Sequence, residues 1–279
     1  MSHKRRNAKI GKQHIKYYKY SINPVHMDTK TITIIIATYN AEKTLQNCLN
    51  SISSQKTKET ELLIIDGKST DHTIDIITSN KSIVDFYLSE SDKGIYDAWN
   101  KGIQKATGKW IMFIGADDIL LPGALIQYIN LINNTPNIEN YDYICANNEF
   151  IGESGKVLKI MGEAPSWNRM RRYMAAAHVA SLHNKKNLFD KVGLYNLEYK
   201  ICADYELLLR KKDKLNFLFK SMHIAQMKVG GMSFSTKAII ETYFIRKKHQ
   251  SVSPILNILL FLRDWLGFKI FILKNIKKL

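Results

Sequence analysis

Apolar residues along the chain fall into short runs and longer helically spaced segments, separated by polar turns. A β-branched run at residues 31–36 reads as a buried strand, and Leu45, Leu49 and Ile52 then recur on one helix face. The alternation repeats three times. A strand at 61–65 precedes a helix at 70–79, a strand at 83–88 precedes a helix at 94–106, and a strand at 110–114 precedes a helix from Pro122 to about Asn133. Strand and helix at this spacing predict βαβ units in a mainly parallel sheet with helices on both faces, an α/β class.

The rhythm then changes. Strands are expected at 143–151 and 156–161 around a turn at 152–155, helices at 168–176, 185–192 and 203–212, and a further strand at 216–219. No repeat, low-complexity tract or Pro- and Gly-rich linker divides the body. Residues 31–236 are therefore read as one unit, with a first half at 31–135 and a second at 136–236.

Three expected strands end in polar residues: Thr38, Tyr39 and Asn40 after the first, Asp66 to Ser69 and Asp71 after the second, Asp117 and Asp118 after the fourth. Parallel strands bring their carboxyl ends to one edge of a sheet, where ligands bind, so these distant residues are expected to converge. Two adjacent carboxylates repel unless a cation lies between them, which points to a divalent ion held against phosphate. The competing reading is that one of the two caps the helix at Pro122. Asp66 suits a base imide or ribose hydroxyls, whereas Asp71 reads as a helix cap and Ser69 as a turn residue.

Composition changes this picture in two places. The net charge of +16 suggests a nucleic-acid partner until it is located: residues 1–30 and 237–279 each carry a net +7, leaving +2 for the body. That excludes a basic groove through the fold and assigns the charge to a leader and a C-terminal extension able to meet an anionic surface; no nucleic-acid partner is expected. Cys48, Cys145 and Cys202 are too few and too scattered for a disulfide framework or zinc cluster, and no apolar signal stretch is visible. A cytoplasmic setting is expected.

Five blocks in one order resemble the family 2 glycosyltransferases: residues 33–40 (TIIIATYN), 61–71 (ELLIIDGKSTD), 89–102 (SESDKGIYDAWNKG), 115–118 (GADD) and 203–210 (ADYELLLR). The third and fourth look most like the branch that builds bacterial surface polysaccharides. The resemblance implies the GT-A fold, a Rossmann-like mixed sheet flanked by helices, and a nucleotide-sugar donor, with 31–135 as the donor half and 136–236 as the acceptor half. It implies Asp66 at the base, Thr38 and Asn40 along the nucleoside, Asp92 and Lys93 beside the donor, and Asp117 on Mn or Mg, with Asp118 beside it. The family motif's first acid is Gly115 here.

Asp204 falls where the family places the base that deprotonates the acceptor hydroxyl; by itself it also reads as a helix cap. Asp92 is likewise a donor contact or the cap of the helix at Gly94. His178 is an acceptor-side residue or a structural histidine. Gly230, Gly231 and Ser233 match a Gly-Gly-x-Ser element that closes over the diphosphate. The activity implied is inverting transfer from a nucleotide-sugar, a UDP-sugar, to a lipid-linked or polysaccharide acceptor. Rival readings are a sugar-phosphate nucleotidyltransferase and a non-catalytic basic module.

Beyond Pro254, a helical wheel gathers Ile258, Leu259, Leu262, Trp265, Leu266 and Leu273 on one side. Arg263, Asp264, Lys274 and Lys278 gather on the other, and Lys269 falls among the apolar residues. Such a helix lies on the inner face of an anionic cytoplasmic membrane, or packs on the core or on a second copy.

Overall fold

The computed structural model describes residues 30–152, 154–228, 231 and 234–275. The expected βαβ series is present as β1 (Ile32–Thr38), α1 (Leu45–Ser53), β2 (Thr60–Asp66), α2 (Thr73–Ser79), β3 (Phe86–Ser89), α3 (Ile95–Lys105) and β4 (Trp110–Gly115). It continues with β5 (Ile119–Leu120), α4 (Ala124–Asn134), β6 (Tyr143–Ile151), β7 (Val157–Met161), α5 (Trp167–Met170), β8 (Leu182–Asn184), α6 (Ala203–Leu209) and β9 (Phe217–Lys228). Two helices follow, α7 (Thr236–His249) and α8 (Pro254–Asn275).

Among the described residues these strands form one sheet in the order β3-β2-β1-β4-β8-β6-β9-β5, with β7 on β6. β1 to β4 are mutually parallel, β8 is antiparallel to both β4 and β6, and β9 runs parallel to β6.

Side chains alternate across a strand, and here both faces are covered, which is why β1 reads as a continuous apolar run. Ile34 and Ile36 pack with Leu45, Leu49 and Ile52 of α1 and Leu125 and Ile129 of α4. Ile35 faces the other way, toward Trp99 and Ile103 of α3 and Leu207 and Leu208 of α6. Each of these side chains is essentially removed from water, worth about 1.5–3 kcal/mol apiece by transfer. The register sets Thr38 opposite Asp66, Asp66 opposite Ser89 and Ala37 opposite Gly115, so four strand ends share one edge.

Several expected bounds shift. The strand expected from 83 begins only at Phe86, because Ile83 and Val84 donate their N–H groups to the Asn80 carbonyl in the turn after α2. The helix expected at 168–176 stops at Met170, and the chain then enters the core as a loop: Tyr143 Oη and Ser181 Oγ both donate to the Ala177 carbonyl. Residues 185–190 form a π-helical turn, and α6 ends at Leu209. The strand expected at 216–219 runs on to Lys228, paired along β6.

Candidate active site

The strand-end edge carries a closed polar cluster around Asp66, whose carboxylate is wholly buried. Thr38 Oγ1 donates to its Oδ1 at 3.0 Å and Ser69 Oγ at 2.5 Å; Ser89 Oγ donates to Oδ2 at 2.6 Å and the Ser69 amide at 2.9 Å. All its acceptor capacity is thus used to fold the loop after β2. In that loop Lys68 adopts a left-handed backbone, as Asn40 does in the facing loop after β1. The two loops are stitched together by Asn40 N–H donating to Ser69 Oγ at 2.8 Å and Thr70 N–H donating to Asn40 Oδ1 at 2.9 Å. Asp71 accepts from the amide and hydroxyl of Thr73 at the start of α2, the capping role expected of it. Tyr39 between the loops is 67% exposed, an aromatic face to which the sequence reading gave no role.

Beyond β4 the paired acids differ. Asp117 is exposed, whereas Asp118 is buried and accepts the Gly115 N–H at 2.9 Å. A Cβ on Gly115 would lie 2.7 Å from Asp118 Oδ2 and 2.8 Å from Asp117 Oδ1, so both carboxylates converge over this glycine. The space a first acid's side chain would need is occupied by the other two. Burial, followed by the Asp117 charge, pushes the Asp118 carboxyl up to about 7. The same burial and the two acids push the Cys48 thiol far up, and its Sγ donates to the Gly115 carbonyl at 3.4 Å.

Two carboxylates converging over Gly115 fit a cation as a partial ligand set. No cluster of three or more His, Cys, Asp or Glu side chains that could hold a metal occurs among the described residues. The remaining ligands for a metal would have to come from elsewhere, as diphosphate oxygens would supply.

The third motif joins the two halves. Asp92 Oδ1 accepts the Gly94 N–H at 2.8 Å, and its Oδ2 lies 2.6 Å from where Gly67 would carry a Cβ. Asp92 therefore supports the entry to α3, the capping role weighed for it, and abuts the loop after β2. Gly94 has φ +113, a conformation L side chains avoid. Lys93 is exposed, and its carbonyl accepts Lys200 Nζ at 3.4 Å.

From the second residue of α3, Tyr96 Oη reaches the other half of the fold. Its single proton is shared between Asp204 Oδ1 at 2.9 Å and the Ile201 carbonyl at 2.5 Å. Burial, with the Asp204 charge second, pushes its phenol far up, so it remains a donor.

Asp204 lies in the first turn of α6 and does not cap it; the N-cap position is Cys202. The segment before it is gripped from α7: Glu241 accepts the backbone N–H groups of Lys200, Ile201 and Cys202 at 2.7, 2.8 and 2.5 Å. Sequence reasoning missed Glu241, which belongs to no motif.

His178 Nδ1 lies 3.7 Å from Asp204 Oδ2, close but beyond a hydrogen bond. Burial pushes its imidazole down, partly offset by Asp204, and both ring nitrogens are buried without a partner. The ring stacks on Phe113 at 5.6 Å and 13°, tying Asp204 to β4, the strand that leads to Asp117 and Asp118. Gly230 and Ser233 lie outside the described residues; Gly231 is exposed, with open space where a Cβ would stand.

Comparison with known proteins bears on the family and the fold. A PGL/p-HBAD biosynthesis glycosyltransferase of Mycobacterium bovis is 27% identical over 254 residues, covering 86% of this chain and 92% of the relative. The structure of S. aureus TarS 1-349 in complex with UDP-GlcNAc is similar at a TM-score of 0.62 and 16% identity, covering 83% of this chain and 70% of that one. The chain spans 39% of a longer TarS structure. The mannosyltransferase PcManGT from Pyrobaculum calidifontis, in complex with GDP-Man and Mn2+, has a TM-score of 0.56 at 15% identity, covering 78% of this chain and 62% of that one. At such identities the likeness is one of fold, and these neighbours make that fold GT-A. The family model described as glycosyl transferase family 2 matches residues 33–196, more than half of the chain, and the chain belongs to that family.

Proposed function

We propose that the chain is an inverting glycosyltransferase that moves a sugar from a nucleotide donor, a UDP-sugar, to a hydroxyl of a lipid-linked or polysaccharide acceptor at the cytoplasmic face of the membrane. The reading rests above all on one contact: Asp204, free of any capping duty, is held by Tyr96 from the donor half and flanked by an unpartnered His178.

The acceptor oxygen attacks the anomeric carbon as the bond from that carbon to the diphosphate oxygen breaks. Asp204 takes the hydroxyl proton, and the nucleoside diphosphate departs with the bonding electrons. Attack from the face opposite the leaving group inverts the anomeric centre.

Thr38, Asn40 and Asp66 form the nucleoside end, where a base imide would replace one of the serine hydroxyls now on Asp66. Asp92 and Lys93 border the donor on the side of α3, and Gly231 would meet the diphosphate. Asp117, with Asp118 behind it, would hold a Mn or Mg ion, which when bound neutralises charge on the diphosphate. His178 offers its two buried ring nitrogens to the acceptor side.

The test is Asp204→Asn assayed with a panel of nucleotide-sugars. Nucleotide affinity is expected to stay within about twofold, while transfer falls by roughly 10²–10⁴-fold, the range of a lost general base. Unchanged transfer would remove Asp204 from the role, and failure to bind any nucleotide-sugar would overturn the whole reading.

A further inference from the structure

Helix α8 carries apolar residues on two opposite faces. Its inward face is used: Asn257 and Leu260 are buried, Phe261 meets Tyr243 of α7 at 5.6 Å, and Phe268 and Phe271 meet Phe234 at 5.0 and 5.1 Å. Asp264 on that face receives Arg246 Nη1 at 3.3 Å. The outward face is not covered. Ile255, Ile258, Leu262, Trp265, Leu266 and Leu273 are 40–74% exposed and recur every three or four residues, a stripe roughly 27 Å long at 1.5 Å per residue. A monomer rarely leaves an apolar band of this length in water. Packing on the chain's own core, one of the expected fates of this helix, is therefore met only by the opposite face.

The charge pattern selects the occupant. Lys269 lies within the stripe, its ammonium 5.6 Å from the centre of the Trp265 ring, and Lys274 follows at the end of the helix. Asp264, the single acid of α8, is turned away and bound by Arg246 and by Arg263 at 2.6 Å. A second copy of this face would bury Lys269 with no acid opposite it. A bilayer rim takes the lysine stem into apolar surroundings and its ammonium to phosphate, and accommodates an indole beside it. Among the described residues no helix is long and apolar enough to cross a membrane, so this one would lie along the surface.

We propose that the outward face of α8 docks on an anionic phospholipid bilayer, with the apolar stripe in the acyl boundary and Lys269 and Lys274 at the phosphates. α7 packs against α8 and holds residues 200–202, so docking would set the acceptor half beside the membrane. Delivery of a lipid-linked acceptor along that plane rests on the glycosyltransfer reading; the docking itself does not.

The experiment is co-sedimentation of the full chain with phosphatidylglycerol–phosphatidylcholine vesicles, alongside a Leu262→Glu/Leu266→Glu double variant and Lys269→Glu. Both leucines are about half exposed, so thermal midpoint and donor hydrolysis are expected to match the wild type. The wild type is expected to bind, phosphatidylcholine alone to bind it less, and the double variant to lose on the order of tenfold in partitioning.

Absence of binding to the anionic vesicles overturns the proposal. So does binding unchanged in the double variant, which would assign it to the basic ends, or a stable dimer in solution that the double variant dissolves. A wild type that docks but turns over no nucleotide-sugar defeats the enzymatic reading and leaves the docking surface standing.

Discussion

At the scale of single residues, the candidate base Asp204 is held by the hydroxyl of Tyr96, a positioning residue. Tyr96→Phe keeps the ring contacts with Trp99 and Tyr195, at 5.3 and 5.2 Å, and removes both hydrogen bonds of the hydroxyl. A hydrogen bond to a charged group is worth about 1.5–3 kcal/mol, so kcat is expected to fall roughly 10–100-fold with the donor KM barely moved, and the thermal midpoint to fall as well. Steady-state kinetics beside a melting curve checks this; a loss of stability with kcat intact would make Tyr96 a packing residue. Tyr96 stood inside a motif that the sequence made visible, but its role was hidden, because its partner is 108 residues away. The acids at 66, 117 and 118 were legible because parallel topology alone sends strand ends to one edge. What the sequence could not show is that Asp66 is saturated by three hydroxyls and an amide, or that Gly115 leaves the space its two neighbours fill.

At the scale of elements, α6 is anchored by charge on its buried side as well as by its leucines. Burial would push the Glu206 carboxyl up, but hydrogen bonds from His249 and Arg210 and the Arg210 charge outweigh it and hold it down at about 2, against an ordinary 4.5. A depressed carboxylate stabilises the fold fully above its unfolded value and loses that contribution as pH falls through its folded one. Wild type is therefore expected to exceed Glu206→Gln by about 2–3 kcal/mol near neutrality, with the gap closing between pH 4.5 and about 2. Chemical denaturation of both proteins across that range measures it; a gap independent of pH would show that the network is not ionic.

The elements that the sequence predicted well are those whose burial writes a period: β1, β2 and β4 as apolar runs, α1 and α3 as single faces. β9 alternates weakly along a half-exposed course and was seen only in its first residues. The segment after Met170 has helical spacing, yet the Arg171 and Arg172 carbonyls are claimed by the Ser251 and Arg246 side chains, and the Ala177 carbonyl beyond them by Tyr143 and Ser181.

At the scale of the whole molecule, the C-terminal extension is part of the enzyme's architecture, although its composition sets it apart from the body. Arg246 is wholly buried, donating to Asn257 Oδ1, the Arg172 carbonyl and Asp264, so it fastens α7, α8 and the loop after α5 into one block. Glu241 extends that block to the segment before Asp204, and His249 extends it to Glu206. If the basic ends were the functional module and the body only a scaffold, removing 237–279 would abolish surface binding and leave the body's fold untouched.

The contacts require a different outcome: a chain ending at 236 is expected to melt at lower temperature and to lose transfer as well as docking. Because truncation can also simply unfold the second half of the fold, Glu241→Ala is the sharper variant, leaving three backbone N–H groups at 200–202 without their carboxylate. It is expected to lower kcat by roughly tenfold or more, since those hydrogen bonds to a charge are among the stronger ones, while nucleotide affinity and vesicle binding persist. Calorimetric titration with the nucleotide, run beside the transfer assay, separates the two. Glu241→Ala with full transfer would reduce α7 to a support for α8.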